Sequence, residues 1–218
     1  MDSQKRLLVY IISALVISAV PFLSWPFNWI ETYFHEISHG LTAVFTGGHI
    51  REIVIRIDGS GYCEYAGGWH GLTSFAGYAG AILSGALMYL SARSLGRSST
   101  IISTLLVIAI LLTIIFYAGD LITMLILGIL VLLFYLAAAK RFSQVFNRVE
   151  EFIGIYVLMN AIRSPFHLLD GQSIGDGAAL AKLTYIPEIV WVAVWVVLGL
   201  AVLIGLWRSE NRQRRMFR

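Results

Sequence analysis

The stretch "STIISTLLVIAILLTIIFYAGDLITMLILGILVLLFYLAAA", residues 99–139, contains a single charged residue, Asp120. No soluble core helix needs an apolar run of this length. Split at "YAGD", it becomes two segments, 99–118 and 121–139, each near the roughly 20 residues that cross the hydrocarbon of a bilayer. Asp120 then marks a tight turn between two membrane helices.

Working outward, further apolar segments fall at about 7–25, 27–46, 71–92, 151–169 and 186–207. The first two are separated by "SWPFNW", where Pro26 and the tryptophans suit an interfacial turn. The N-terminal "MDSQKRLLVYIISALVISAV" has a signal-like layout, but its apolar run is long and no small-residue cleavage site follows; it reads as a retained first span. The segment 151–169 carries Asn160, Arg163 and Pro165, which predict a broken or partly inserted helix. The expected architecture is an all-α membrane bundle of about six to seven transmembrane helices. No repeat or low-complexity linker divides it, so residues 1–218 read as a single integral-membrane domain.

Composition agrees. Of 218 residues, 58% are hydrophobic and 13% charged, with mean hydropathy +0.77. A soluble domain carries about twice that charged fraction. The net charge of +3 is concentrated in the tail "RSENRQRRMFR". So short a basic tail reads as a cytoplasmic anchor, and nucleic acid is not an expected partner. Cys63 is the only cysteine, which excludes an intrachain disulfide and a cysteine metal cluster.

One segment breaks the helical pattern. "GGHIREIVIRIDGSGYCEYAGG" alternates Ile53, Ile55 and Ile57 with Glu52, Arg56 and Asp58, then supplies turn chemistry in "DGSG". It predicts a small β-hairpin over about residues 50–66. Open sheet edges are not tolerated in lipid, so the hairpin must lie at the surface or in a protein-lined cavity. The next span carries Gly77, Gly80, Ser84 and Gly85, a spacing that lets helices approach closely.

Just before the hairpin, "FHEISHGL" places His35, Glu36 and His39 on one apolar helix. Residues four apart share a helix face, so His35 and His39 can offer two imidazole nitrogens to one metal ion. Glu36 stands beside them, free to take a proton from a water and return it to a leaving amine. An ionisable side chain at mid-span costs about 2.5–3.5 kcal/mol. Three polar groups on one turn therefore argue for a compensating ion or cavity. Two histidines leave a zinc site short of a third protein ligand. Asp170 and Asp176 in "HLLDGQSIGDGAALAKLT" are candidates, with His49, His70 and His167 in reserve. Four crossings separate the hairpin from that loop, which puts both on one face of the membrane. Asp176 also suits the N-cap of a helix beginning at "GDGAALA".

The order of these motifs resembles the M50 metallopeptidases, the site-2-protease class of intramembrane zinc proteases. It is closest to the M50B-like branch. "FHEISHGLTAVFTGGHI" is similar to the start of that branch, and "GDGAALAKLTYIPEIVW" to its late motif, with Gly175 where serine is usual. The resemblance runs from about residue 30 to 195. It implies Zn2+ held by His35, His39 and a late aspartate, with Glu36 as general base. The M50B-like pattern favours Asp176, which we prefer. The pattern of the better-known site-2 proteases favours Asp170, with Asn160 and Pro165 upstream, although the spacing from Asn160 is longer than usual.

The implied activity is hydrolysis of peptide bonds in membrane protein or peptide substrates, in a multi-pass protein of a bacterial cytoplasmic membrane. The hairpin would hold substrate by strand addition; residues that bind substrate side chains are not identified. A metal-binding membrane protein without peptidase activity, transporter-like or a scaffold, is the alternative. Orientation stays open. The better-known site-2 proteases hold zinc nearer the cytoplasm. Here Arg93, Arg97, Lys140, Arg141, Arg148 and the C-terminal arginines favour the other way up. Seven spans would then leave Lys5 and Arg6 outside.

Overall fold

The computed structural model describes residues 3–93, 97–139 and 144–216; Lys140, Arg141 and Arg218 lie outside them. Helix α1 spans Ser3–Ser18 and α2 spans Pro21–Phe45. Strands β1 (His49–Ile55) and β2 (Gly61–Ala66) follow. Then come α3 (His70–Arg93), α4 (Arg97–Phe116), α5 (Leu121–Ala139) and α6 (Gln144–Arg163). A 3-10 turn at Ser164–Leu169, α7 (Asp176–Thr184) and α8 (Glu188–Met216) complete the order. Five helical segments are long and apolar enough to cross a membrane, and six if α1 and α2 count as one bent span. The all-α bundle with a hairpin is as expected.

The first two apolar runs differ from the expectation of separate spans joined at "SWPFNW". The break falls at Ala19 and Val20, and Trp25, Pro26 and Trp29 lie within α2. Pro21 sets it. A proline in the first helical turn loses only an N–H that had no intrahelical partner, so it starts a helix where the previous one stops. The two axes are bent by 115°. At the other broken segment, α6 ends at Arg163 and the chain tightens into a 3-10 turn around Pro165, as the proline predicts.

The centre of the bundle is the pair α3 and α6. Gly85 and Gly154 face one another across it. A Cβ on Gly154 would come within 2.6 Å of the Tyr89 nitrogen and 2.7 Å of the Gly85 carbonyl oxygen. The small residues of α3 thus serve close backbone approach, which in lipid replaces hydrophobic drive with dispersion contact. At the α4–α5 turn, the Asp120 carboxylate accepts the Thr123 backbone N–H at 2.7 Å and caps α5.

The hairpin is antiparallel, with Ile53 opposite Cys63 and a bulge between Ile50 and Glu52. Ile53 and Ile55 are fully buried, whereas Ile57, beyond the strand end, is exposed. The outer edge of β1 is closed by the α4–α5 turn. The Ile53 N–H donates to the Tyr117 carbonyl at 2.7 Å, and the Gly119 N–H donates to the Ile53 carbonyl at 3.1 Å. The Ile55 N–H donates to Thr123 Oγ1 at 3.0 Å. One sheet edge is thereby removed from the lipid. Gly154→Val should lower the thermal stability of the detergent-solubilised protein by about 1–3 kcal/mol, from overpacking. Gly128→Ala, with nothing within 4 Å of its Cβ, should leave the unfolding midpoint unchanged or slightly higher.

Candidate metal centre

Helix α2 presents two functional faces. Thr32, Glu36 and Gly40, at successive i, i+4 positions, lie under the hairpin. A Cβ on Gly61 would meet Thr32 Cγ2 at 2.6 Å, and one on Gly40 would meet Ile50 Cδ1 at 2.6 Å. The adjacent face carries His35 and His39 toward α3 and α7. Glu36 is buried beneath β2, where a Cβ on Gly61 would lie 3.5 Å from its Cγ.

His39 Nδ1 lies 2.7 Å from the Thr73 carbonyl oxygen. A carbonyl only accepts, so Nδ1 carries the proton and the Nε2 lone pair is left free. That Nε2 stands 2.9 Å from His35 Nε2 and 3.2 Å from Asp176 Oδ2, and His35 Nε2 stands 3.1 Å from the same oxygen. Nitrogen and oxygen ligands of tetrahedral zinc at about 2.0–2.1 Å lie about 3.3 Å apart. The three atoms match that spacing to within a few tenths of an ångström. His35, His39 and Asp176 are the group among the described residues able to hold a metal ion.

Asp176 is the first residue of α7, with Gly175 at the N-cap in a left-handed conformation, φ 106°. Burial alone would raise its carboxyl. The imidazoles of His39 and His35 outweigh that and hold it below the usual carboxylate range, in the anionic form a cation requires. Asp170 stands outside the group. It ends the 3-10 turn, and its carboxylate accepts the Gln172 N–H at 2.8 Å. His49, His70 and His167 also stand outside. Asn160 donates to Glu31 Oε2 at 3.2 Å, one turn before His35.

Helix α3 makes room for this arrangement. A Cβ on Gly77 would sit 2.4 Å from His39 Nε2 and 2.6 Å from His35 Nε2. Tyr78 places its ring edge-on to His35, 4.5 Å between centroids, and packs in turn at a tilt of 49° against buried Trp195 of α8. The Thr73 carbonyl and the Tyr78 ring carry no sequence signal that would have marked them. Gly77 did have one, as part of the small-residue stripe. A cavity of about 400 Å3 opens over the group, lined among others by Glu36, Tyr65 and Leu168. Cys63 also lines it; burial pushes that thiol up to about 12, so it remains a neutral thiol at physiological pH.

The family model described as Peptidase M50B-like matches residues 8–206. The chain belongs to that family. Neither a curated protein nor a solved structure matches it. With its apolar helices, this M50B-like chain is a multi-pass membrane metallopeptidase.

Gly77→Ala drives a methyl group into both imidazoles of the M50B-like protein. We expect its bound divalent metal, measured by elemental analysis, to fall below half that of the unaltered protein, while the chain remains folded.

Proposed function

We propose that this M50B-like protein is an intramembrane zinc endopeptidase that cuts peptide bonds of membrane protein substrates within or beside the bilayer. The observation that carries the reading is the convergence of His35, His39 and Asp176 beside a carboxylate, Glu36, that does not join them. Two imidazoles and one carboxylate form a donor set suited to zinc with a position left open. When bound there, zinc polarises a carbonyl and lowers the pKa of water to about 7.

The chain's own residues supply the rest. Thr73 fixes the tautomer of His39. Glu36 accepts a proton from the attacking water and passes it to the leaving amine nitrogen as the C–N bond breaks. Substrate adds to the hairpin as a further strand. Because β1 is closed by the α4–α5 turn, the strand that can accept it is β2, whose Gly61, Cys63 and Tyr65 line the cavity. Main-chain pairing presents a scissile bond without requiring one side-chain sequence.

Glu36→Gln should retain zinc and lose roughly 10²–10⁴-fold in cleavage of a reconstituted substrate. Removing both imidazoles, by His35→Ala with His39→Ala, should abolish zinc binding. Zinc bound by the unaltered protein with no cleavage of any reconstituted substrate would instead indicate a metal-binding protein without peptidase chemistry, and cleavage that survives Glu36→Gln would remove Glu36 as the general base.

A further inference from the structure

The two ends of the bundle differ in charge, and contacts assign each helix end to one of them. At the end away from the metal group, Gln4 donates to Asn211, and Arg6 and Arg148 both pair with Glu151, at 2.9 and 2.6 Å. Arg93 pairs with Glu210 at 2.7 Å, and Ser99 donates to Glu150 at 2.6 Å. These contacts tie together the starts of α1, α4 and α6 and the ends of α3 and α8. The opposite end holds the Thr73 carbonyl at the start of α3, Asp176 beyond α6, and the Tyr117 carbonyl between α4 and α5.

Helix α1 starts at the first end and finishes where the Arg163 guanidinium donates to Ser18 Oγ at 2.9 Å, at the last residue of α6. Helix α2, bent away by 115°, finishes at the metal-bearing end, where the Trp69 N–H just before α3 donates to Thr46 Oγ1 at 2.8 Å. The crossings are therefore α1, α3, α4, α5, α6 and α8, an even number that brings both termini to one end. Lys5 and Arg6 join Arg93, Arg97, Arg148, Arg208, Arg212, Arg214 and Arg215 there. In sequence, Lys140 and Arg141 fall in the α5–α6 link. Among the described residues, the metal-bearing end carries Arg51, Arg56, Arg163 and Lys182. Lysine and arginine near span ends remain on the cytoplasmic side, and no basic terminus now violates that bias.

We infer that the metal group opens to the non-cytoplasmic side of the membrane. Its substrates are then polypeptide segments lying in the outer leaflet or emerging from it, and cytoplasmic tails are excluded. The substrate half rests on the peptidase reading; the orientation does not. The test uses the full chain in cells, with Cys63→Ala as background. One form carries Gln172→Cys, in the exposed turn before α7, and another carries a cysteine appended after Arg218. A membrane-impermeant maleimide on intact cells should label the Gln172→Cys form and spare the appended cysteine until the membrane is permeabilised. Labelling after denaturation controls for the amount of each protein. Reaction of the appended cysteine in intact cells, alone or together with Gln172→Cys, overturns the inference. Labelling needs no turnover, so adding Glu36→Gln should leave the pattern unchanged. A failure of proteolysis and a reversed orientation are therefore separate results.

Discussion

Three atoms able to ligate a metal ion, from residues as far as 141 positions apart, meet within 3.2 Å in a setting from which water is largely withdrawn. The rest of the architecture follows from that constraint. Buried imidazoles and carboxylates cost several kcal/mol each unless paired or bound to an ion. Spread along separate helices, such a cost would oppose insertion. Brought to one point, it can be offset by one cation, and each group's partner becomes the reason to keep the others.

Convergence of this kind needs space as much as attraction. Imidazoles on α2 can reach α7 only if α3, which passes between, has no side chain at the crossing. Gly77 meets that need, and Gly80 does the same for Ser38 one turn away. Further along α3, Gly85 repeats the device against the backbone of α6. The same stripe thus has two physical roles: backbone clearance where helix meets helix, and side-chain clearance where the helix meets the metal group. The hairpin presses from the other side of α2, where Gly40 and Gly61 allow strands to lie directly on the helix.

Much of this was legible before any coordinates. Apolar run lengths gave the helices, and the alternation through Ile53 and Ile55 gave the hairpin. The i, i+4 pair His35 and His39 gave two of the three converging atoms. These signals are local, set by the helical and strand periods. The choice between Asp170 and Asp176 was not local. Both precede glycine, and beyond the family pattern that favoured Asp176 it is the fold that separates them: one closes its own turn, and the other begins a short helix aimed at the imidazoles. The bend between α1 and α2 was misplaced for a related reason. Pro21 and Pro26 carry the same intrinsic signal, and the cost of a missing N–H depends on whether it stands in the first turn or later. Which one breaks the chain is decided by where α2 must begin for Asn28 to meet Tyr156 and Glu31 to meet Asn160 on α6.

That early bend also governs what the site can face. A straight passage through residues 3–45 would make one long helix, with no surface for the hairpin to lie on beside the imidazoles. Two full spans would place the termini on opposite sides. The bent pair avoids both outcomes. It uses α1 for the crossing and frees α2 to lie against α3, α6 and the hairpin together. The closed edge of β1 and the open side of β2 then follow from chain order. The α4–α5 turn reaches β1 first, which leaves the strand nearer Glu36 as the one exposed to the cavity. An extended chain that paired there, as the proposed function requires, would lie beside the carboxylate and the three candidate ligand atoms at once. On the proposed peptidase reading, the bend at Pro21, rather than any feature of the metal group itself, is what would bring substrate backbone and proton acceptor within reach of each other.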